Sequence, residues 1–228
     1  MKNPRFTINK SALIVMLFVF TGVLMTAAFA RYQKSRTHNP YALQNGDIVF
    51  QETGSQQAKA IKAATNSRWT HVGLVFFRDG QPMVIEAVQP VRITPLSNFI
   101  ARNPESFYAM RLKTAHQHIT PEAIRKAEHY CNQQLGKNYD SLFRWSDEKI
   151  YCSELVWKAY KEAAGIELCQ PRAFRSYNLK HPTVQRIVNQ RYGSMQKLPM
   201  DELCVAPSDL AQSGLLTEVP KLDSKKSR

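Results

Sequence analysis

Three residues of this chain could do chemistry together: Cys152, His71 and Glu86. A thiol, an imidazole and a carboxylate are the parts of a covalent acyl transfer. The thiolate attacks a carbonyl and the imidazole moves the proton. A carboxylate bonded to one ring nitrogen fixes the tautomer, which leaves the other nitrogen free to work. Whether the chain can bring them together depends on the elements that carry them.

After Cys152, apolar residues recur at Leu155, Val156, Ala159, Tyr160 and Ala163. That is the spacing of one face of an α-helix, and Gly165 marks its stop. Cys152 falls on the inward face of the first turn. Unpaired backbone N–H groups and the positive end of the helix dipole favour a thiolate there. A cysteine on an apolar face is, taken alone, more often a small packed hydrophobe, so the helix does not decide its role.

The hairpin upstream does more. Residues 70–77 (THVGLVFF) and 82–88 (PMVIEAV) read as strands joined at Asp79-Gly80, a hairpin turn signal. With the loop centred there, pairing partners sum to 159, so Gly73 faces Glu86 and His71 faces Val88. His71 and Glu86 become diagonal neighbours on one face, with Cβ atoms roughly 7–8 Å apart, and the intervening glycine leaves their side chains room. A slip of one residue would put Glu86 on the other face.

The remaining elements form an α+β pattern. Gly46-Asp47 turns into a strand at 48–50, and residues 55–64 read as a small helix. Strands are expected at 91–94 and 108–112, with a short helix opening at Pro95 between them. Thr120 and Pro121 cap a helix whose stripe is Ile124, Ala127, Tyr130, Cys131 and Leu135. Helical patches near 182–191 and after Pro207 read as packing without visible chemistry.

The chain has 228 residues, enough for one domain plus appendages. Residues 11–30 hold no charge and, at about 1.5 Å per residue, could cross a hydrocarbon core of about 30 Å. They also end in Ala28-Phe29-Ala30, a signal-peptidase pattern behind the basic Lys2, Arg5 and Lys10. Signal and anchor both stay open, and either predicts export to the cell envelope, anchored in the inner membrane or periplasmic. The domain plan is residues 1–30 as signal or anchor, 31–45 as linker, 46–215 as the catalytic domain and 216–228 as a basic tail.

Of the formal charge of +13, three positive charges fall in the first thirty residues and +10 remains. Such a surface suits polyanions, yet the basic residues are scattered and no RNA-binding signature appears, so no nucleic-acid partner is expected. The four cysteines, Cys131, Cys152, Cys169 and Cys204, match no zinc spacing. A disulfide between Cys169 and Cys204 is left open. His116 and His118 precede a helix cap without a third ligand, so neither metal nor cofactor is expected.

Taken together, LGKNYDSLFRW and YCSELV around Cys152, preceded by GDIVF, THVGLVF and VIEA, resemble the NlpC-type papain-like superfamily. The order, histidine before cysteine, resembles its circularly permuted YiiX/YaeF-like branch. That resemblance implies a permuted papain-like fold, with an antiparallel sheet packed against helices and the cysteine at a helix N-terminus. It implies Cys152 as nucleophile, His71 as base, Glu86 as the group that orients the histidine, and Tyr139 as a substrate-binding residue near the oxyanion. Two positions depart from the common motif: Asn138 stands where it has proline, and Glu154 where it has glycine. The implied activity is an amidase or peptidase acting through an acyl-enzyme, on a cell-wall peptide or a small acyl or amino-acid amide. A lipid-directed thiol acyltransferase or deacylase, and a non-catalytic envelope binding module, remain alternatives.

Overall fold

A computed structural model describes residues 38–113 and 120–222. The apolar run at 11–30, His116, His118 and residues 223–228 lie outside them. Among the described residues no helix is long and apolar enough to cross a membrane.

Alternation along the strands decides what each face of the central sheet buries. In β1 (Ile48–Gln51) and β2 (His71–Arg78), Ile48, Phe50, Leu74 and Phe76 join one core cluster, while Val49 and Val75 join another. β3 (Gln81–Glu86), β4 (Arg92–Pro95), β5 (Tyr108–Leu112) and β8 (Leu216–Glu218) complete an antiparallel sheet in the order β4-β3-β2-β1-β5-β8. The first cluster takes in Ala127 and Cys131 of α3 (Pro121–Gln133) and Leu155, Val156 and Ala159 of α4 (Cys152–Ala164). The second packs under α2 (Leu96–Ala101) through Leu96, Phe99 and Ile100. Helices on both faces of an antiparallel sheet make the α+β architecture that the sequence pattern implied.

A third cluster sits off the sheet. It gathers Tyr151, Phe174, Leu198 and Cys204 with Val184 and Val188 of α5 (Pro182–Tyr192), and α1 (Gln56–Thr65) packs beside it through Ala63 and Ala64. A two-stranded ribbon, β6 (Arg172–Ala173) with β7 (Leu203–Cys204), and the short α6 (Pro207–Ala211) close that side.

The hairpin register follows the sequence argument. Arg78 pairs with Gln81, and the ladder runs inward through Phe76 with Met83 to Leu74 with Ile85. Asp79 and Gly80 have φ of 50° and 74°, the left-handed pair of a type I′ turn whose twist suits a two-residue hairpin. Gly73 sits where a side chain has no room: an added Cβ would lie 2.5 Å from Val84 Cγ1 and 3.0 Å from the Ile85 carbonyl. Gly73→Ala is therefore expected to cost about 1–3 kcal/mol in chemical denaturation. It should also lower turnover in the folded fraction, because the atoms that must move carry Glu86.

Three boundaries differ from the sequence reading. The stretch 216–218, assigned to a tail, is the edge strand β8 on β5, with Leu216 opposite Leu112. Tyr41, assigned to a linker, is buried and bridges to Lys221. A three-residue strand is too short to show a period, and its partner lies about a hundred residues away in the sequence. The return strand β3 also ends at Glu86, two residues earlier than expected.

The GDIVF motif is structural. Asp47 accepts two hydrogen bonds from Arg111, Nε at 2.6 Å and Nη2 at 2.7 Å, which tie β1 to β5. Burial raises the Asp47 pKa, and Arg111 opposes that rise. The Tyr160 hydroxyl donates to the Gly46 carbonyl at 2.6 Å, pinning α4 to the same turn.

Candidate active site

Cys152 is the first residue of α4 and is 2% exposed. The helix start is clamped from outside: Ser153 Oγ donates to the Val205 carbonyl at 2.6 Å, and the Val205 N–H donates to the Tyr151 hydroxyl at 3.1 Å. Glu154, the departure from the common motif, turns away from the sulfur. It accepts the Tyr151 N–H at 3.4 Å and pairs with Lys158 at 2.9 Å. Burial lifts its pKa to about 7, with Lys158 opposing. The backbone N–H groups of Val72 and Ser153 act to lower the Cys152 pKa.

His71 opens β2 and is buried, its ring stacked on Phe99 of α2 at 5.8 Å. Its Nε2 lies 2.6 Å from Glu86 Oε2. With Nε2 committed to the carboxylate, Nδ1 is the nitrogen left for the Cys152 thiol, whose proximity raises the His71 pKa. Thus β2, β3 and α4 bring together the three residues singled out by the sequence.

Glu86 is fully buried and saturated with donors. Thr94 Oγ1 donates at 2.6 Å, and Arg102 reaches both carboxylate oxygens, Nη1 to Oε2 at 2.7 Å and Nη2 to Oε1. A bidentate guanidinium both orients a carboxylate and cancels its charge. Burial pushes the Glu86 pKa up, but the bonds from Arg102, His71 and Thr94 outweigh it and hold the carboxyl below the usual carboxylate range.

The same bookkeeping along the chain gives alternating charges. Burial alone would lower the His71 pKa, yet its bonds to Cys152 and Glu86 raise it to about 9. Burial alone would raise the Cys152 pKa, yet the hydrogen bond and charge of His71 and the two backbone N–H groups bring it below that of an ordinary thiol. Both shifts run in the direction that favours a thiolate beside an imidazolium, with the Glu86 carboxylate and the Arg102 guanidinium behind it. The other thiols go the opposite way: burial raises Cys131 well above the ordinary thiol range and Cys169 and Cys204 to about 12. All four cysteines are free.

Tyr139 lies at the same place. Its hydroxyl accepts from Gln57 Nε2 at 2.8 Å, and burial together with the nearby Cys152 raises its pKa. Gln57 Oε1 in turn accepts from Arg191 Nη2 at 2.6 Å. Arg191, Gln57 and Tyr139, from α5, α1 and the loop before α4, form a hydrogen-bonded chain whose Tyr139 end stands beside the thiol.

Sequence reasoning missed Arg102, Thr94, Gln57 and Arg191. A signal existed for Thr94: it pairs with Val84, so it is the diagonal neighbour of Glu86 on the next strand. Arg102 caps the C-terminus of α2 and reaches back to the strand, which no local pattern announces.

Two openings meet at the site. One is a cleft of about 340 Å³ with a mixed lining, where Thr70, His71, Gln89 and Arg102 stand beside Ala58, Ala87 and Val88. The other is a cavity of about 120 Å³ that includes Cys152 and runs between α1 and α5. Gln57 lines both.

Residues 42–220 match the family described as "Permuted papain-like amidase enzyme, YaeF/YiiX, C92 family". The chain is 37% identical over 178 residues to "Uncharacterized protein YiiX" of Escherichia coli (strain K12), covering 78% of this chain and 86% of that protein. Its fold is similar to a crystal structure described as that of the metalloprotein yiiX from Escherichia coli O157:H7. The TM-score is 0.72 at 37% identity, covering 78% of this chain and 97% of that one. The donor set here does not fit a metal: among the described residues no three His, Cys, Asp or Glu stand together so as to hold one. At the thiol, moreover, both Glu86 oxygens are taken by Arg102, a cation.

Proposed function

The chain belongs to the permuted papain-like amidases of the YaeF/YiiX type, and from that premise we propose that it hydrolyses an amide through a Cys152, His71 and Glu86 triad. The observation that carries this reading is the 2.6 Å bond between His71 Nε2 and Glu86, which leaves Nδ1 to the thiol. The Cys152 thiolate attacks the carbonyl carbon, and the Cys152 backbone N–H, at the start of α4, supports the oxyanion. Imidazolium gives its proton to the departing amine nitrogen as the C–N bond breaks. Water then attacks the thioester, His71 takes a proton from it, and the carboxylic acid leaves as the thiolate is restored. No step needs a metal.

Tyr139 supplies a second donor. Because its hydroxyl already accepts from Gln57, its own proton is free to point at the sulfur or at the oxygen developing beside it. Tyr139→Phe is expected to lower kcat about 100-fold with KM little changed. Steady-state kinetics on one amide would check it, and an unchanged kcat would remove Tyr139 from the oxyanion site.

We place the activity in the cell envelope, with the domain exported behind the apolar run at 11–30 and its basic flank at Lys2, Arg5 and Lys10. Incubating the protein with muropeptides and with N-acyl amino acids, and identifying the products by mass spectrometry, tests the reaction. New amine and carboxylate pairs that vanish with Cys152→Ala support it. Intact substrates throughout would overturn it.

A further inference from the structure

The two openings differ in chemistry, and the reaction assigns each a side. His71 protonates the leaving group, so the amine departs on the imidazole side, while the acyl group stays on sulfur. The cleft with the mixed lining holds His71 and not Cys152; the 120 Å³ cavity holds Cys152 and not His71. That cavity is walled by apolar side chains, among them Ile61 and Ala64 of α1, Phe143, Val184 and Val188. Apart from Cys152, the one ionic side chain among the described residues on its wall, Arg191, has Nη1 on the Ser141 carbonyl and Nη2 on Gln57, both at 2.6 Å, and its guanidinium lies over Phe143.

We propose that this cavity is the acyl site, and that the substrate is an amide joining an apolar acyl chain to a polar amine. The inference rests on Cys152 being the nucleophile. An apolar cavity of about 150 Å³ takes a benzene molecule, so 120 Å³ takes a chain of about four to six carbons before its end emerges at the mouth. A polar stem peptide meets a wall whose exposed surface is almost wholly apolar and would leave most of its amides unpaired. The amine, by contrast, meets Thr70, Gln89 and Tyr139, groups that can bond a polar or charged head. The elements that build the cavity, α1 and α5, supply none of the three triad residues; beyond Gln57 and Arg191, which hold Tyr139, their inward side chains form an apolar cluster of their own.

The test is a series of N-acylglycines with acetyl, butanoyl, hexanoyl and dodecanoyl chains, together with adipoylglycine and a muropeptide. Each buried methylene should raise kcat/KM about fourfold, so hexanoylglycine should exceed acetylglycine on the order of a hundredfold. Adipoylglycine, which ends its chain in a carboxylate, should fall well below hexanoylglycine. Ala64→Phe, or Ile61→Phe if the first does not fold, should move the optimum to a shorter chain. A flat series, or a preference for adipoylglycine or the muropeptide, would overturn the acyl site while leaving the amidase intact. If no amide turns over, the amidase reading fails and Cys152→Ala titrated with butanoate, hexanoate and octanoate still decides the cavity. Affinity rising with chain length supports it, and absence of binding overturns it.

Discussion

Cys152→Ala is expected to lower turnover by about 10⁶-fold, to the level left by binding alone, while the fold persists. Two features separate these effects. The sulfur is the only atom that can form the acyl-enzyme. The anchors of the helix start, by contrast, belong to neighbouring residues: Ser153 on the Val205 carbonyl and the Tyr151 hydroxyl on the Val205 N–H. Alanine at the first position of α4 keeps both and is a better helix former. Removing the thiolate also removes the partner that raises His71, so the imidazole should titrate at lower pH in the variant. Kinetics with mass-spectrometric detection measures the first effect, and an NMR titration of the imidazole measures the second.

Glu86→Gln is expected to cost about 10²–10⁴-fold in kcat, the range set by removing the carboxylate that orients a catalytic histidine. An amide has one oxygen and one NH₂ where Arg102 and Thr94 both require acceptors. At Oε1 the Thr94 hydroxyl and Arg102 Nη2 converge, and at Oε2 Arg102 Nη1 and His71 Nε2 converge. Whichever way the amide turns, its NH₂ faces a donor. The imidazolium also loses its counter-charge, so the His71 pKa falls from about 9 and the thiolate loses part of its partner. The pH profile gives the sign. In the parent, turnover should rise as Cys152 ionises, below the ordinary thiol range, and fall as His71 loses its proton near pH 9. In Glu86→Gln the alkaline limb should move to lower pH. An unchanged profile would show that Glu86 does not act on His71.

How much of this was legible in the sequence varies with distance along the chain. The pairing of His71 with Glu86 could be derived because a two-residue turn fixes register and a strand alternates strictly. The helix at Cys152 was legible from its apolar spacing and Gly165. Thr94 could have been found by carrying the same diagonal rule one strand further. Arg102 could not, since a side chain that reaches from a helix end to a neighbouring strand follows no period. The hydrogen-bonded chain of Arg191, Gln57 and Tyr139 joins three elements far apart in sequence. The acyl cavity was hidden for another reason. The stripe of α5, with Val184 and Val188, has the same spacing whether it faces a filled core or an open one, so the helix read only as packing.

The central claim is that Cys152 is held as a thiolate against a protonated His71. The most direct test is the rate of iodoacetamide labelling of each cysteine as a function of pH, read by peptide mass spectrometry on the full chain. Cys152 should label fast already at pH values below the ordinary thiol range and hold a plateau to about pH 9, where His71 loses its proton. Cys131, Cys169 and Cys204, their pKa values raised by burial, should stay slow across that range. A Cys152 rate that climbs with a midpoint at about 8.5, as an unperturbed thiol does, or equal labelling of all four, would contradict the account.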